Sequence, residues 1–142
     1  MASATKTPKL ALPQWTASEK PERTDFNDAF DKIDDFAILD AWHAATLVNS
    51  WAAWGGQRVP SYRKDAQGKV SLSGFITGGA SNSVAFTLPA GYRPTVVESF
   101  CISDQAVYPG FVTISSNGEV QVIYGAPGVR QMILSGVSFF NT

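Results

Sequence analysis

Tyr62-Arg63-Lys64-Asp65-Ala66-Gln67-Gly68-Lys69-Val70-Ser71-Leu72-Ser73-Gly74-Phe75-Ile76-Thr77 is the stretch whose reading decides the fold. Asp65 to Gly68 is a turn between two extended segments. The Asp65 carboxylate can accept hydrogen bonds from backbone amides two or more residues on, so the turn alone accounts for it. After the turn, Val70, Leu72, Gly74 and Ile76 fall on one face, with Ser71, Ser73, Phe75 and Thr77 on the other. A period of two sustained this long predicts one long, half-buried strand. Upstream, Leu47-Val48-Asn49-Ser50-Trp51 leads to Gly55-Gly56. Downstream, Phe86-Thr87-Leu88-Pro89-Ala90-Gly91-Tyr92-Arg93-Pro94 reads as an alternating strand halted by proline.

From about Leu47 onward every periodic segment is β. Val84, Phe86 and Leu88 alternate with Ala85 and Thr87, and Val96, Glu98, Phe100 and Ile102 with Val97, Ser99, Cys101 and Ser103. Further strands are expected from Phe111 to Ser115, Glu119 to Tyr124 and Met132 to Phe140, with an Asn117-Gly118 hairpin signal between the first two. Short strands punctuated by turns about every ten residues predict an antiparallel β-sandwich of jelly-roll type over residues 47–142. In the last strand Ile133, Val137 and Phe139 oppose Leu134, Ser138 and Phe140, which predicts burial on both faces, the second by a symmetric neighbour.

Residues 1–24 have no apolar period and contain Pro8, Pro13 and Pro21, so they read as an extended arm. Leu10, Leu12 and Trp15 are its candidate docking residues; a free tail is the alternative. A helix follows, with Thr24 as the expected N-cap and Asp25 and Asp28 near its positive end. Phe26, Ala29, Phe30, Ile33, Phe36 and Ala37 share an arc about 120° wide. Such a helix is marginal alone, and its apolar face needs cover. That cover is either the β domain of the same chain or identical helices around an axis, for which Phe26, Phe30, Ile33 and Ala37 have the spacing of a seam. The segment 25–46 is therefore a candidate stalk.

The 142 residues suit one domain and an appendage; 44% are hydrophobic and 16% charged. Net charge is -1, which implies neither nucleic acid nor an acidic membrane as partner. Eight of the twelve carboxylates lie in residues 1–40, leaving a weakly charged β module. Cys101 is the sole cysteine, expected buried and inert. Lys6 and Lys9 precede only Leu10-Ala11-Leu12, so no secretory signal is expected, and no apolar run is long enough to span a membrane.

Little here suits catalysis. His43 is the only histidine and reads as a surface or packing residue; no Cys/His cluster has metal-ligand spacing, and the Gly55-Gly56 and Gly78-Gly79 pairs lack a phosphate loop's Lys-Ser/Thr. The helix carboxylates spread around a polar face. Asp65 with Glu98 or Asp104 is the only conceivable glycosidase pair, and the turn already explains Asp65. No enzyme activity, cofactor or metal is expected. Aromatics are the better candidates for recognition. Trp51 is expected in the core and Tyr92 holding its turn, whereas Trp54, beside two glycines, and Tyr108, in Tyr108-Pro109-Gly110, are expected exposed. These two and Arg130 are the candidate recognition residues.

Two motifs resemble a known family. The Tyr62–Gly74 hairpin, followed by Phe86-Thr87-Leu88-Pro89-Ala90-Gly91-Tyr92-Arg93-Pro94, resembles the C-terminal head of phage tail-fibre and baseplate receptor-binding proteins. Pro13-Gln14-Trp15-Thr16, Arg23-Thr24-Asp25-Phe26-Asn27 and Phe30-Asp31-Lys32-Ile33-Asp34 resemble the opening of small phage minor structural proteins. The resemblance implies a virion protein and a homotrimer, and it favours the helix bundle. It further implies docking to tail, baseplate or capsid proteins through the arm, and recognition of a host-surface polysaccharide by the head. A purely structural decoration protein of tail or capsid is the alternative. A carbohydrate-degrading tail enzyme is a third reading, which the missing carboxylate pair disfavours.

Overall fold

A computed structural model describes residues 5–104, 108–125 and 130–141. The chain divides into two compact units, residues 1–39 and 40–142.

In the first unit, β1 (Thr5–Lys6) pairs antiparallel with β2 (Pro13–Gln14), and α1 (Arg23–Ala37) follows. The arm is thus partly folded rather than simply extended. Glu22, not Thr24, caps the helix, and the Glu22 N–H donates to Asp25 Oδ2 at 3.1 Å. The Ile38 N–H still reaches the Asp34 carbonyl at 3.1 Å, after which the backbone turns extended. The helix is therefore shorter than the segment 25–46, and His43–Ala44 is already a strand. No residue of α1 is buried: Phe26, Phe30, Ile33 and Phe36 are 44%, 62%, 42% and 43% exposed. Trp15 packs on Phe26 with ring centroids 5.1 Å apart, covering one end of that stripe.

The second unit is an antiparallel β-sandwich, as the periodicity predicts. Its strands are β3 (His43–Ala44), β4 (Ala52–Ala53), β5 (Ser61–Lys64), β6 (Lys69–Ser73), β7 (Phe75–Thr77), β8 (Ser83–Thr87), β9 (Glu98–Ser103), β10 (Pro109–Ile114), β11 (Glu119–Tyr124), β12 (Gln131–Ile133) and β13 (Ser138–Phe140). They form three sheets in the orders β8-β11-β10-β9, β12-β7-β4 and β13-β6-β5-β3. Among the described residues one apolar cluster fills the interior, from Trp51, Val70, Leu72 and Ile76 to Phe86, Val112, Val120, Met132, Leu134 and Phe139. Alternate residues of each strand feed that cluster while their neighbours face out.

Both local turns behave as their residues demand. In the β5–β6 turn, Asp65 Oδ1 accepts the Gln67 and Lys69 amides at 3.0 and 2.8 Å. In the β10–β11 turn, Gly118 takes a φ of +90°, which glycine adopts without steric cost.

Several strand expectations need correction. The predicted strand from Val70 to Thr77 is broken at Gly74, whose φ is +105° and whose missing Cβ would lie 2.6 Å from the Pro60 backbone. The strand turns there and passes from one sheet to the next, yet Val70, Leu72 and Ile76 all remain buried as the alternation implies. The Met132–Phe140 strand is likewise two pieces, β12 and β13, separated by a turn at Ser135–Gly136. The two corners are stitched together: the Leu72 N–H donates to Val137 O, and the Leu134 N–H to Gly74 O, both at 2.9 Å. Within the single chain only one side of the last strand is covered: Phe139 is buried and Phe140 is 53% exposed, which leaves that side open to a neighbour. In β8 the alternation slips. Val120 pairs with Phe86 and Gln121 with Val84, so Ala85 is an extra residue, and it is buried together with Phe86. Cys101 is exposed rather than buried; it shares the outward face of β9 with Ser99 and Ser103.

Candidate functional site

Tyr108 and Arg130 are brought together by β9, β10 and β12. Asp104, at the end of β9 and buried, accepts the Tyr108 N–H on Oδ1 at 2.7 Å and Arg130 Nη1 on Oδ2 at 3.2 Å. The Arg130 guanidinium lies over the Tyr108 ring, 4.5 Å from its centroid. A buried carboxylate needs a charged partner, and Arg130 supplies it while its flat face covers one side of the phenol. Tyr108 itself stays 51% exposed. The result is a fixed aromatic ring with a cation stacked over one face. Trp54 does not join it. It is half-buried rather than exposed, its ring centroid 6.2 Å from that of Phe75 and its backbone N–H donating to Phe75 O at 3.1 Å.

A second cluster was not foreseen. Asp40 accepts the Tyr92 hydroxyl at 2.5 Å and the His43 Nε2 at 2.9 Å, and Tyr92 stands 3.2 Å from that same nitrogen. His43 stacks on Tyr62 at 5.5 Å, and Tyr62 meets Tyr92 edge-on at 5.0 Å. The Tyr92 hydrogen bond, followed by His43, holds the Asp40 carboxyl below its ordinary range despite an opposing effect of burial. The same bond, reinforced by burial and by the Asp40 charge, pushes the Tyr92 phenol up to about 12. His43 packs on Tyr62 as a packing residue would, but the Tyr92 hydroxyl, expected to hold its own turn, secures Asp40 instead. Arg93 and Asn141 hold that turn instead, Arg93 Nε donating to Leu88 O at 2.8 Å and Asn141 Nδ2 to Arg93 O at 2.6 Å.

A third arrangement is a polar face. In β6, Val70 and Leu72 point inward, so Lys69 and Ser71 point outward, while Ser73, two residues on along the same face, is covered and buried. The register aligns Ser71 with both Arg63 and Ser138, and Ser73 with Ser61. The Arg63 guanidinium sits over the Trp42 ring at 4.5 Å, and Arg58 Nη1 donates to Ser73 Oγ at 3.3 Å. A groove of about 360 Å³ runs across this face. Lys69, Ser71 and Ser73 are visible in sequence as a period of two; their meeting with Trp42, Arg58 and Arg63 is not.

The residues named for other roles lie in the first unit. Phe26, Phe30, Ile33 and Ala37 share the exposed face of α1, while Leu10, Leu12 and Trp15 are half-buried. Two carboxylates that might have served hydrolysis are already engaged, Asp65 by backbone amides and Asp104 by Arg130. Among the described residues no group of three or more His, Cys, Asp or Glu side chains is placed to hold a metal, and no helix is long and apolar enough to cross a membrane.

No family model matches the sequence, and no curated protein resembles it significantly in sequence. The structure is similar to the crystal structure of the receptor-binding protein of Listeria phage PSA. The two superpose with a TM-score of 0.68 over 89% of this chain and 82% of the other, at 17% identity. They share a fold.

Proposed function

We propose that the chain is a phage virion protein of the tail-fibre or baseplate type. Residues 1–24 anchor it to the particle, α1 joins three copies, and the β head meets a saccharide on the host cell. The observation that carries this reading is the fold shared with a phage receptor-binding protein along 89% of the chain. The bare apolar face of Phe30, Ile33 and Ala37 supports the helix bundle, since an uncovered stripe of this kind calls for a partner. For docking to tail, baseplate or capsid proteins the candidates are Leu10, Leu12 and Trp15. For recognition they are Tyr108 and Arg130, with Trp54 contributing only its unburied edge.

Fluorescently labelled full-length protein, mixed with a panel of bacterial cells and with their isolated wall polysaccharide, tests the proposal. Saturable binding to one host, competed by its polysaccharide and weakened by Tyr108→Ala, is the expected result. Incorporation into particles with no binding to any cell or polysaccharide would leave a purely structural role.

A further inference from the structure

We propose that the outer face of the β13-β6-β5-β3 sheet is a binding site for an acidic saccharide, a hydroxylated chain bearing carboxylate or phosphate groups. This goes beyond the attachment reading and rests on it, adding a second surface distinct from the Tyr108–Arg130 pair.

Charge points to an anion. Arg58, Arg63 and Lys69 line the groove, and no carboxylate is among its described lining residues. Three cations gathered without a counter-charge are unusual in a chain whose net charge is -1. Asp65, in the turn that joins β5 and β6, is not among the lining residues, and its Oδ1 faces the Gln67 and Lys69 backbone amides. Guanidinium groups present a planar fork of donors that matches carboxylate and phosphate oxygens, and their field draws an anion toward the sheet.

The remainder of the surface selects a sugar-like chain over a bare ion. Trp42 is 39% exposed, a large apolar ring held at the groove's edge under Arg63. An indole face suits the C–H face of a pyranose, and the paired guanidinium is already oriented, so little freedom is lost on binding. Ser71, Ser138 and Ser135 offer hydroxyls that donate and accept, as a polyol requires. Their small side chains, with Gly136, keep the floor low enough for an extended chain to lie across the strands. A neighbouring groove of about 330 Å³ shares Trp42 and Arg58, so the surface continues past the ring. Nucleic acid would instead favour a series of open rings for successive bases, whereas the described lining of this groove holds one aromatic ring, Trp42.

Two-dimensional 1H–15N NMR of the full-length protein tests the inference with three probes: an oligogalacturonate, an oligomer of glycerol phosphate, and neutral maltohexaose. At least one acidic probe should shift the Trp42 indole and the Arg63 and Ser71 amides, and maltohexaose should not. Affinity should fall about tenfold in Arg63→Gln, and comparably in the exposed Arg58→Gln, whose fold is the safer of the two. It should also fall as salt is raised. Which acidic probe binds identifies carboxylate or phosphate as the recognised group. The inference is overturned by the absence of shifts with both acidic probes, by equal binding of maltohexaose, by shifts centred on Tyr108, or by tighter binding of oligo(dT). Cell binding that survives both substitutions, with unchanged probe affinity, overturns this site and leaves the attachment reading intact. Probe binding by a protein that adheres to no cell does the reverse.

Discussion

Gly79 is occupied by glycine for want of room: a Cβ there would lie 2.1 Å from the Trp51 ring. That ring is buried, and its Nε1 donates to Ser83 Oγ at 2.8 Å, so it cannot retreat without losing the bond. Gly79→Ala should therefore cost about 1–3 kcal/mol, the usual range for overpacking a filled core, read by urea unfolding followed through tryptophan fluorescence. Tyr92 offers a second test at this scale. Its folded pKa of about 12 lies above the ordinary 10.0, so its contribution to stability is complete below pH 10 and is lost as pH rises through 12. Asp40 runs the other way. Its pKa is lowered, so its contribution is present above the ordinary 3.8 and disappears as pH falls through the folded value. Ultraviolet titration of tyrosinate should show one late-ionising phenol, and Asp40→Ala should bring it back toward 10.

At the scale of elements, α1 makes the firmest prediction. With Phe30 and Ile33 at 62% and 42% exposure, replacing both by Asp should leave the β head folded yet dissociate the proposed trimer. Sedimentation gives the mass directly, and a wild-type monomer at micromolar concentration would remove the helix bundle from the proposal. The elements also mark what could be read beforehand. The β5–β6 and β10–β11 turns are legible because their chemistry is local: Asp65, Asn117 and Gly118 act within a few residues of themselves. The corner at Gly74 is not, since in an alternating run a glycine passes for a face residue, and only Pro60, fourteen positions away, makes the bend obligatory. The slip at Ala85 is invisible for a similar reason: a bulge is specified by the partner strand. Cys101 was misjudged although the clue was present, for it shares its face with Ser99 and Ser103. Within the candidate sites, Tyr108 and Arg130 were recognisable as residue types. Their pairing through Asp104 was not, nor was the Asp40–Tyr92 contact across 52 positions.

At the scale of the molecule, the division at residue 40 has a testable meaning. A fragment of residues 40–142 should unfold in one cooperative transition with a β-type circular dichroism spectrum, since it holds the entire buried cluster. Without the helix it should remain monomeric, and its cell binding should be weaker by roughly 10²–10⁴, the factor that several linked sites supply. In the proposed attachment role the head works under mechanical load. Tension transmitted along the backbone enters the sandwich at Asp40 and reaches β3, an edge strand of two residues that would peel from β5 one bond at a time. The Tyr92 and His43 bonds to Asp40 stand ahead of that seam and must rupture first. In that role they act as a strain relief, and because Asp40 keeps its charge until the pH falls below the ordinary 3.8, the relief should hold through mild acid and weaken only in strong acid.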